Sequence, residues 1–344
     1  MFERNLKYYR LKNNLTKKEL ASRVGVSAMS ITHYENGERY PDMDIIKRLA
    51  SALGVSAIDF IASRNQSLQF EHERFRKNSK MSKMRQEYIR ESVEEYFGRF
   101  FDAVEMLGGD VLPKPPGIRE IPLNDDVEVN GRALRKYLGV ADSGPVGNLV
   151  EIIENKGILL YMFDSDDPDF SGMNGTVDGR PYIVVNKNMT ADRIRTTIGH
   201  EAAHFAFDWP EELEDREIED LATAIGGAFL FPKEDASREL GLRRRSVTKD
   251  MYLVCEEYGI ALSLLAVRAR NCGIISESAY RDYFISLNKN GGRKNEKVNA
   301  AKESSHLFEQ LVYRAVTEEG ISIQRGAELL NQPHDIVAEN CGIA

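Results

Sequence analysis

Apolar residues recur at helical spacing over residues 1–62, in five short runs separated by glycine and hydroxyl residues. The pattern predicts helices at 1–13, 16–24, 27–36, 43–53 and 57–61. Thr16 and Ser27 are typical helix starts, and Gly25 and Gly37 are typical helix stops. These runs predict an all-α N-terminal domain.

The apolar positions of residues 79–107 also follow helical spacing, which predicts one amphipathic helix packing on the domain that follows. Prolines at positions 113, 115, 116 and 122 then indicate a rigid connection. We therefore divide the chain into residues 1–62, a basic linker and amphipathic helix at 63–123, a second domain at 124–287, and a mobile linker with a C-terminal helical segment at 288–344. Residues 322–331 of that last segment look helical, and the sequence leaves open whether they cap the fold or bind a partner.

The second domain begins with predicted helices at 131–138 and 146–155. Two short runs of β-branched and aromatic residues, at 157–163 and 182–186, are bounded by Asp, Pro and Gly and predict strands. Residues 170–177 between them offer a third strand. The sequence therefore predicts a small sheet ahead of the next helical run.

That helical run contains the pentad His200-Glu201-Ala202-Ala203-His204. Residues i and i+4 share a face of a helix, so both imidazoles can reach one metal ion. Glu201 lies between them and can act as the general base on a water at the metal. The alternative is an ordinary surface or core helix that happens to carry two histidines.

A third metal ligand is expected in or near the acidic run at 211–220, most of which is typical of a solvated helix start. Glu219 differs because it heads a stretch of small and apolar residues that can pack closely against the first helix. Two histidines and one glutamate leave one position of a zinc ion open, which is typical of a catalytic site. The sequence therefore predicts zinc as the cofactor.

The pentad, followed by Glu219-x-x-Ala222 and an apolar helix ending at Pro232, resembles the ImmA/IrrE family of metallo-endopeptidases. The resemblance implies that His200, His204 and Glu219 bind zinc, that Glu201 is the general base, and that the domain is an α+β zincin-like (gluzincin-type) peptidase with a small sheet. Ile225 replaces the usual Phe, and two glycines follow where the family has alanines.

In such peptidases an edge strand before the active helix binds the substrate backbone, and residues 182–186 stand in that place. An ordinary core strand is the alternative.

The N-terminal string from Leu15 to Pro41 resembles the Cro/repressor-like (XRE-type) helix-turn-helix. The resemblance implies that the helix starting at Ser27 lies in the major groove of duplex operator DNA, with a homodimer on an inverted repeat as one possible arrangement. The DNA-contacting candidates are Lys17, Ser27, Ala28, Met29, Ser30, Thr32 and His33. We interpret Leu20, Ile31 and Tyr34 as core, and Glu35 as a partner of Arg10.

Charge separates the two ends of the chain. The whole chain carries a net charge of −8, which by itself argues against a nucleic-acid partner. Residues 1–90, however, hold 18 Lys and Arg against 10 Asp and Glu. The basic excess is greatest at 74–85, where phosphate contact and a solvated linker are both open. The split is consistent with a DNA-binding N-terminus and an acidic remainder.

The three cysteines are widely spaced, which argues against a disulfide framework and against a thiolate zinc site. No apolar run reaches the length of a membrane span and no signal peptide is evident, so we expect a cytoplasmic protein.

Two functions remain. One is a DNA-bound zinc endopeptidase that, by family resemblance, cleaves a helix-turn-helix repressor or antitoxin-like regulator. The other is a non-catalytic regulator or antitoxin that uses the zincin fold for sensing or docking.

Overall fold

The computed structural model describes residues 1–62, 67–72, 81–292, 296 and 300–342. The chain is mainly α-helical, with an all-α helix-turn-helix at the N-terminus and an α+β part that contains a small mixed sheet, as the sequence predicts. It divides into two compact units. The first takes its residues from 1–68, 78–111 and 308–344, and the second from 69–77 and 112–307.

Helices dominate both ends of the chain, and the strands lie between them. The chain begins with α1 (Phe2–Lys12), α2 (Lys17–Val24), α3 (Ala28–Glu35), α4 (Met43–Leu53), a short 3-10 helix (Ala57–Phe60), β1 (Phe70–His72) and α5 (Lys83–Met106). It continues with β2 (Ile121–Pro122), α6 (Val127–Leu138), α7 (Leu149–Asn155), β3 (Leu159–Phe163), β4 (Gly172–Val177), β5 (Arg180–Asn186), α8 (Ala191–Ala206), β6 (Phe207–Asp208) and α9 (Asp215–Leu230). The remaining helices are α10 (Lys233–Leu240), α11 (Met251–Tyr258), α12 (Leu262–Asn271), α13 (Glu277–Lys289), α14 (Leu307–Thr317), α15 (Ile323–Leu330) and α16 (His334–Asn340).

The helices of the N-terminal module begin and end where local side-chain chemistry requires. Thr16 caps α2 through a reciprocal pair of hydrogen bonds with Glu19, and Gly25 ends the helix in the left-handed region at φ 74°. The predicted core residues Leu20, Ile31 and Tyr34 are buried together. All five predicted helical runs are confirmed, the last of them as the 3-10 helix.

A buried ion pair joins α1 to α3. Arg10 Nε donates to Glu35 Oε1 at 2.5 Å, and Arg10 Nη2 donates to Glu35 Oε2 at 3.0 Å. Arg10 Nη1 also donates to the carbonyl of Leu15 at 2.9 Å. The predicted Arg10–Glu35 pair is therefore confirmed, and it fixes the start of the helix-turn-helix on α1.

The amphipathic helix α5 belongs to the first unit, whereas the sequence predicts that it packs on the second domain. Lys7 of α1 lies 2.8 Å from Glu87 Oε1 and 2.9 Å from Glu91 Oε1 of α5. The apolar stripe of α5 packs against the C-terminal helices, and the ring centroids of Phe100 and Phe308 are 5.6 Å apart. The C-terminal helices, including the predicted one at 322–331, therefore complete the first unit.

The second unit contains a four-stranded sheet in the order β1-β4-β5-β3. β3 runs parallel to β5, with Leu159 opposite Tyr182, and β4 runs antiparallel to β5, with Gly172 opposite Val185. β5 is therefore an interior strand, so the prediction of an edge strand at 182–186 is wrong and the core-strand alternative is correct. The third predicted strand is confirmed as β4.

The buried face of the sheet packs against α8. Ile183 and Val185 of β5 share one core with Ile198 and Ala202 of α8, and α9 adds Ile225 to the same core. This core fixes the two helices that carry the predicted metal ligands beside the sheet.

Two predicted linkers lie partly outside the described residues. The basic stretch at 74–85 is described only from residue 81. In the linker at 288–299, residues 293–295 and 297–299 lie outside the described part of the chain. Within the described part of the chain, no helix has the length and apolar character needed to cross a membrane.

Candidate metal centre

Close packing of α8 on α9 positions the candidate site. Glycines from the two helices face each other, and a Cβ added to Gly226 would lie 3.1 Å from the backbone nitrogen of His200. Ala222 and Ala228 are also buried on α9. The small residues of the second helix therefore allow the close approach predicted from the sequence, and this approach carries Glu219 to the two histidines.

The structure brings together the three side chains predicted as ligands. His200 Nε2 and His204 Nε2 are 3.1 Å apart. His200 Nε2 lies 3.3 Å from Glu219 Oε2, and His204 Nε2 lies 3.7 Å from Glu219 Oε1. For a tetrahedral zinc ion with ligand bonds of about 2.0–2.1 Å, neighbouring ligand atoms are separated by about 3.3–3.4 Å. The three observed separations bracket this value, so the residues fit the ion.

The other ring nitrogen of His200 is also engaged. His200 Nδ1 is 3.1 Å from the hydroxyl oxygen of Thr223, one turn along α9 from Glu219. A hydrogen bond from Nδ1–H to this hydroxyl leaves the Nε2 lone pair facing His204 and Glu219, which is the tautomer a zinc ligand needs. Trp209 Nε1 donates to the carbonyl of His204 at 3.0 Å and ties the end of α8 to the following loop.

Glu201 lies next to the cluster and turns toward the sheet. Asn174 Nδ2 of β4 donates to Glu201 Oε2 at 2.9 Å, and both side chains are buried. A Cβ on Gly172 would lie 3.3 Å from Glu201 Oε1, so the glycine leaves room for the carboxylate. The general-base candidate is therefore held by β4, the strand that packs against α8.

The three candidate ligands differ in the exposure of their side chains. The side chains of His200 and His204 are 11% and 10% exposed, whereas that of Glu219 is 24% exposed. Glu219 is therefore the most exposed of the three candidate ligands, and three protein ligands would leave the fourth position of a tetrahedral ion to water or substrate, as in catalytic sites.

Six of the seven DNA-contacting candidates lie at the start of α3 and along that helix, and Lys17 begins α2. Ser27 caps α3 by accepting from Ser30 N at 3.0 Å, and Ala28 and Met29 are exposed beside it. Ser30 and Thr32 are half-buried, and the Thr32 hydroxyl donates to the carbonyl of Ala28 at 3.2 Å.

Two further candidates contact acidic neighbours. His33 Nδ1 is paired with Glu38, whose pKa is lowered by hydrogen bonds from Asn36 and His33. Lys17 Nζ lies 3.4 Å from Glu35 Oε2, with its side chain 38% exposed. The Glu38 carboxylate thus adds negative charge next to His33, one of the DNA-contacting candidates.

Fold and site together define a helix-turn-helix unit joined to a metallopeptidase-like α+β unit. Comparison with known proteins agrees. Residues 6–60 match the Helix-turn-helix family, and residues 153–270 match the IrrE N-terminal-like domain. The N-terminal module is similar to an uncharacterized HTH-type transcriptional regulator of Methanocaldococcus jannaschii, with 39% identity over 54 residues that make up 16% of this chain and 82% of the relative. No solved structure gives a significant match.

The chain therefore belongs to the family of XRE-type helix-turn-helix regulators and carries an ImmA/IrrE-type domain fused to that module. The metal-ligand candidates all lie inside the matched range of this second domain. Asn174 and Thr223 were missed by the sequence reasoning. Neither stands at a spacing that links it to the pentad, because each reaches the site only through the packing of β4 or α9 on α8.

Proposed function

We propose that this chain is a DNA-binding transcriptional regulator whose second unit is a zinc-dependent endopeptidase that cleaves a regulatory protein. The observation that carries the proposal is the His200, His204 and Glu219 cluster with Glu201 beside it, at separations that fit one tetrahedral ion. The match to the IrrE N-terminal-like domain supports the same assignment.

A bound zinc ion would supply Lewis acidity toward the peptide carbonyl and toward water. Glu201 is assigned the proton transfer: it takes a proton from the attacking water and passes it to the leaving amine. The amide of Asn174 orients this carboxylate through Oε2, so we assign the transferred proton to Oε1. Burial of Glu201 keeps bulk water away from this exchange.

The first unit supplies the DNA-binding half of the proposal. The α3 helix presents exposed Ala28 and Met29 at its N-terminal end, the part of a recognition helix that contacts base edges. The basic excess over residues 1–90 provides attraction to the phosphate backbone. We propose binding as a homodimer to an inverted repeat.

The proposed substrate is another helix-turn-helix repressor or an antitoxin-like regulator. Binding to the same promoter region would raise the local concentration of such a partner near the peptidase, so a weak enzyme could still be selective. The acidic excess of residues 91–344 favours a substrate with basic segments.

The test combines metal analysis of the purified protein with incubation against the helix-turn-helix proteins encoded beside its gene. We expect about one zinc per chain and zinc-dependent cleavage of one neighbour that stops in Glu201→Gln. Metal binding without cleavage of any neighbour would instead support the non-catalytic regulator.

A further inference from the structure

A short strand of the chain covers part of the sheet edge next to the candidate active site. β1 pairs antiparallel with β4, with Phe70 opposite Val177, Glu71 opposite Thr176 and His72 opposite Gly175. Without β1, β4 would be an outer strand of this sheet, because β5 occupies its other side. β1 therefore takes hydrogen-bonding positions that an outer strand offers to any extended segment.

The edge of β4 that β1 covers lies next to Asn174, the residue that holds the general-base candidate Glu201. His72 lies opposite Gly175, and the preceding residue on β4 is Asn174, whose amide donates to Glu201 at 2.9 Å. An extended segment bound along β4 at Gly175 and beyond would pass next to this carboxylate. A substrate segment that pairs with β4 would therefore compete with β1 for the same backbone positions.

Specific contacts hold β1 in place at both ends. Gln69 N donates to Asp178 Oδ1 at 2.8 Å, and Asp178 N donates to the carbonyl of Gln69 at 2.9 Å. At the other end, His72 Nδ1 and the Tyr182 hydroxyl are 2.5 Å apart. A Cβ on Gly175 would lie 2.4 Å from the carbonyl oxygen of Glu71, so the glycine is what lets the strand approach.

β1 has the features of a strand that can dissociate from the sheet. It has three residues, Glu71 is exposed, and Phe70 and His72 are only half-buried. Strands this short with little buried apolar surface add little to the stability of a sheet. Removing β1 would leave the shared core of β5 and α8 intact, because none of its residues belongs to that core.

We propose that β1 is an intramolecular competitor of the substrate. It occupies the substrate-binding edge of β4 in this structure, and it must leave before an extended segment of a substrate can pair there. The inference rests on the proposed peptidase function. It assigns recognition to backbone pairing antiparallel to β4, and it makes the chain segment after the helix-turn-helix an autoinhibitory strand.

The test measures binding rather than catalysis. The probe is a fluorescein-labelled synthetic peptide with the sequence of residues 67–76, titrated by fluorescence anisotropy. The full-length parent carries Glu201→Gln so that the peptide is not cut. The strand-broken variant adds Gln69→Pro and Glu71→Pro, because proline lacks the N–H that strand pairing needs. The matched control adds Gln69→Thr and Glu71→Thr, which keep strand propensity at the same positions.

A tethered strand acts at an effective concentration in the millimolar range, so the intact protein should exclude a micromolar peptide. We expect the proline variant to bind the peptide at least about tenfold more tightly than the parent and the threonine control. Identical titrations for the parent and the proline variant, or no binding to either, would overturn the inference. Should the proline variant fail to fold, His72→Ala removes the contact with the Tyr182 hydroxyl and should shift the titration about threefold in the same direction.

A second arm separates this inference from the proposed function. With Glu201 intact, the proline variant should cleave the neighbouring helix-turn-helix regulator faster than the parent does. Tighter peptide binding without cleavage by any variant would keep the competing strand and remove the peptidase. Cleavage with identical peptide titrations would keep the peptidase and remove the competing strand.

Discussion

The two glycines at the crossing of α8 and α9 look equivalent in the sequence but face different surroundings. A Cβ on Gly199 would meet its nearest neighbours, Gly226 Cα and a Phe229 ring carbon, at 3.5 Å, an ordinary contact distance. A Cβ on Gly226 would lie 3.1 Å from His200 N and 3.2 Å from the carbonyl carbon of Gly199. These neighbours are backbone atoms of a packed helix, which must move if the methyl group is to fit.

The expected effects of the two alanine substitutions therefore have opposite signs. Alanine in a helix interior is favoured over glycine by about 0.5–1 kcal/mol, and Gly199→Ala should gain about that much stability. In Gly226→Ala the same gain is offset by an overpacking cost of about 1–3 kcal/mol. We expect a net loss of about 0–2.5 kcal/mol together with weaker zinc binding, because the backbone of His200 is displaced.

Thermal unfolding followed by circular dichroism, with and without added zinc, measures both effects. For a unit of 150–250 residues, 1 kcal/mol corresponds to a shift in Tm of about 2–4 °C. Gly199→Ala should raise Tm by about 1–4 °C and keep the zinc-induced stabilisation, whereas Gly226→Ala should leave Tm unchanged or lower it and reduce that stabilisation. If Gly226→Ala is as stable as Gly199→Ala and binds zinc equally well, the helix contact does not constrain the site as we describe.

Further predictions concern the ligands, the DNA face and one buried thiol. Glu219→Gln should lower the zinc content measured by plasma emission spectrometry, while Glu201→Gln keeps the metal and loses cleavage; full zinc in Glu219→Gln would exclude it as the third ligand. Thr223→Val removes the hydroxyl beside His200 Nδ1 and should weaken zinc about tenfold or more in a chelator competition; an unchanged affinity would show that the hydroxyl does not orient the ring. Ser30→Glu should reduce operator binding in a mobility-shift assay without changing zinc content, and wild-type binding should weaken steeply as salt rises; salt-independent binding would argue against phosphate contact. Burial raises the pKa of the Cys255 thiol to about 12, so it should resist iodoacetamide at pH 8 in the native protein and react once the chain is unfolded; rapid alkylation of the native thiol would contradict the assigned burial.

Several features could be predicted from the sequence because their causes lie within a few residues. Helix spacing and the caps at Thr16 and Ser27 define the N-terminal helices. The i, i+4 spacing of His200 and His204 determines that their rings share a helix face, as observed. Even the long-range contact of Glu219 could be anticipated, because small residues on the same helix and the family resemblance both indicated it.

Other features depended on contacts between segments far apart in the chain, and periodicity carries no information about those. The apolar stripe of α5 showed that the helix would be buried, but only packing showed that α1 and the C-terminal helices cover it. β5 was predicted as a strand, and its interior place follows from pairing with both β3 and β4. Asn174 reaches Glu201, and β1 reaches Gly175, only because the sheet places these segments side by side. A strand's own residues encode its alternation of faces, whereas its neighbours are selected by the free energy of the whole sheet.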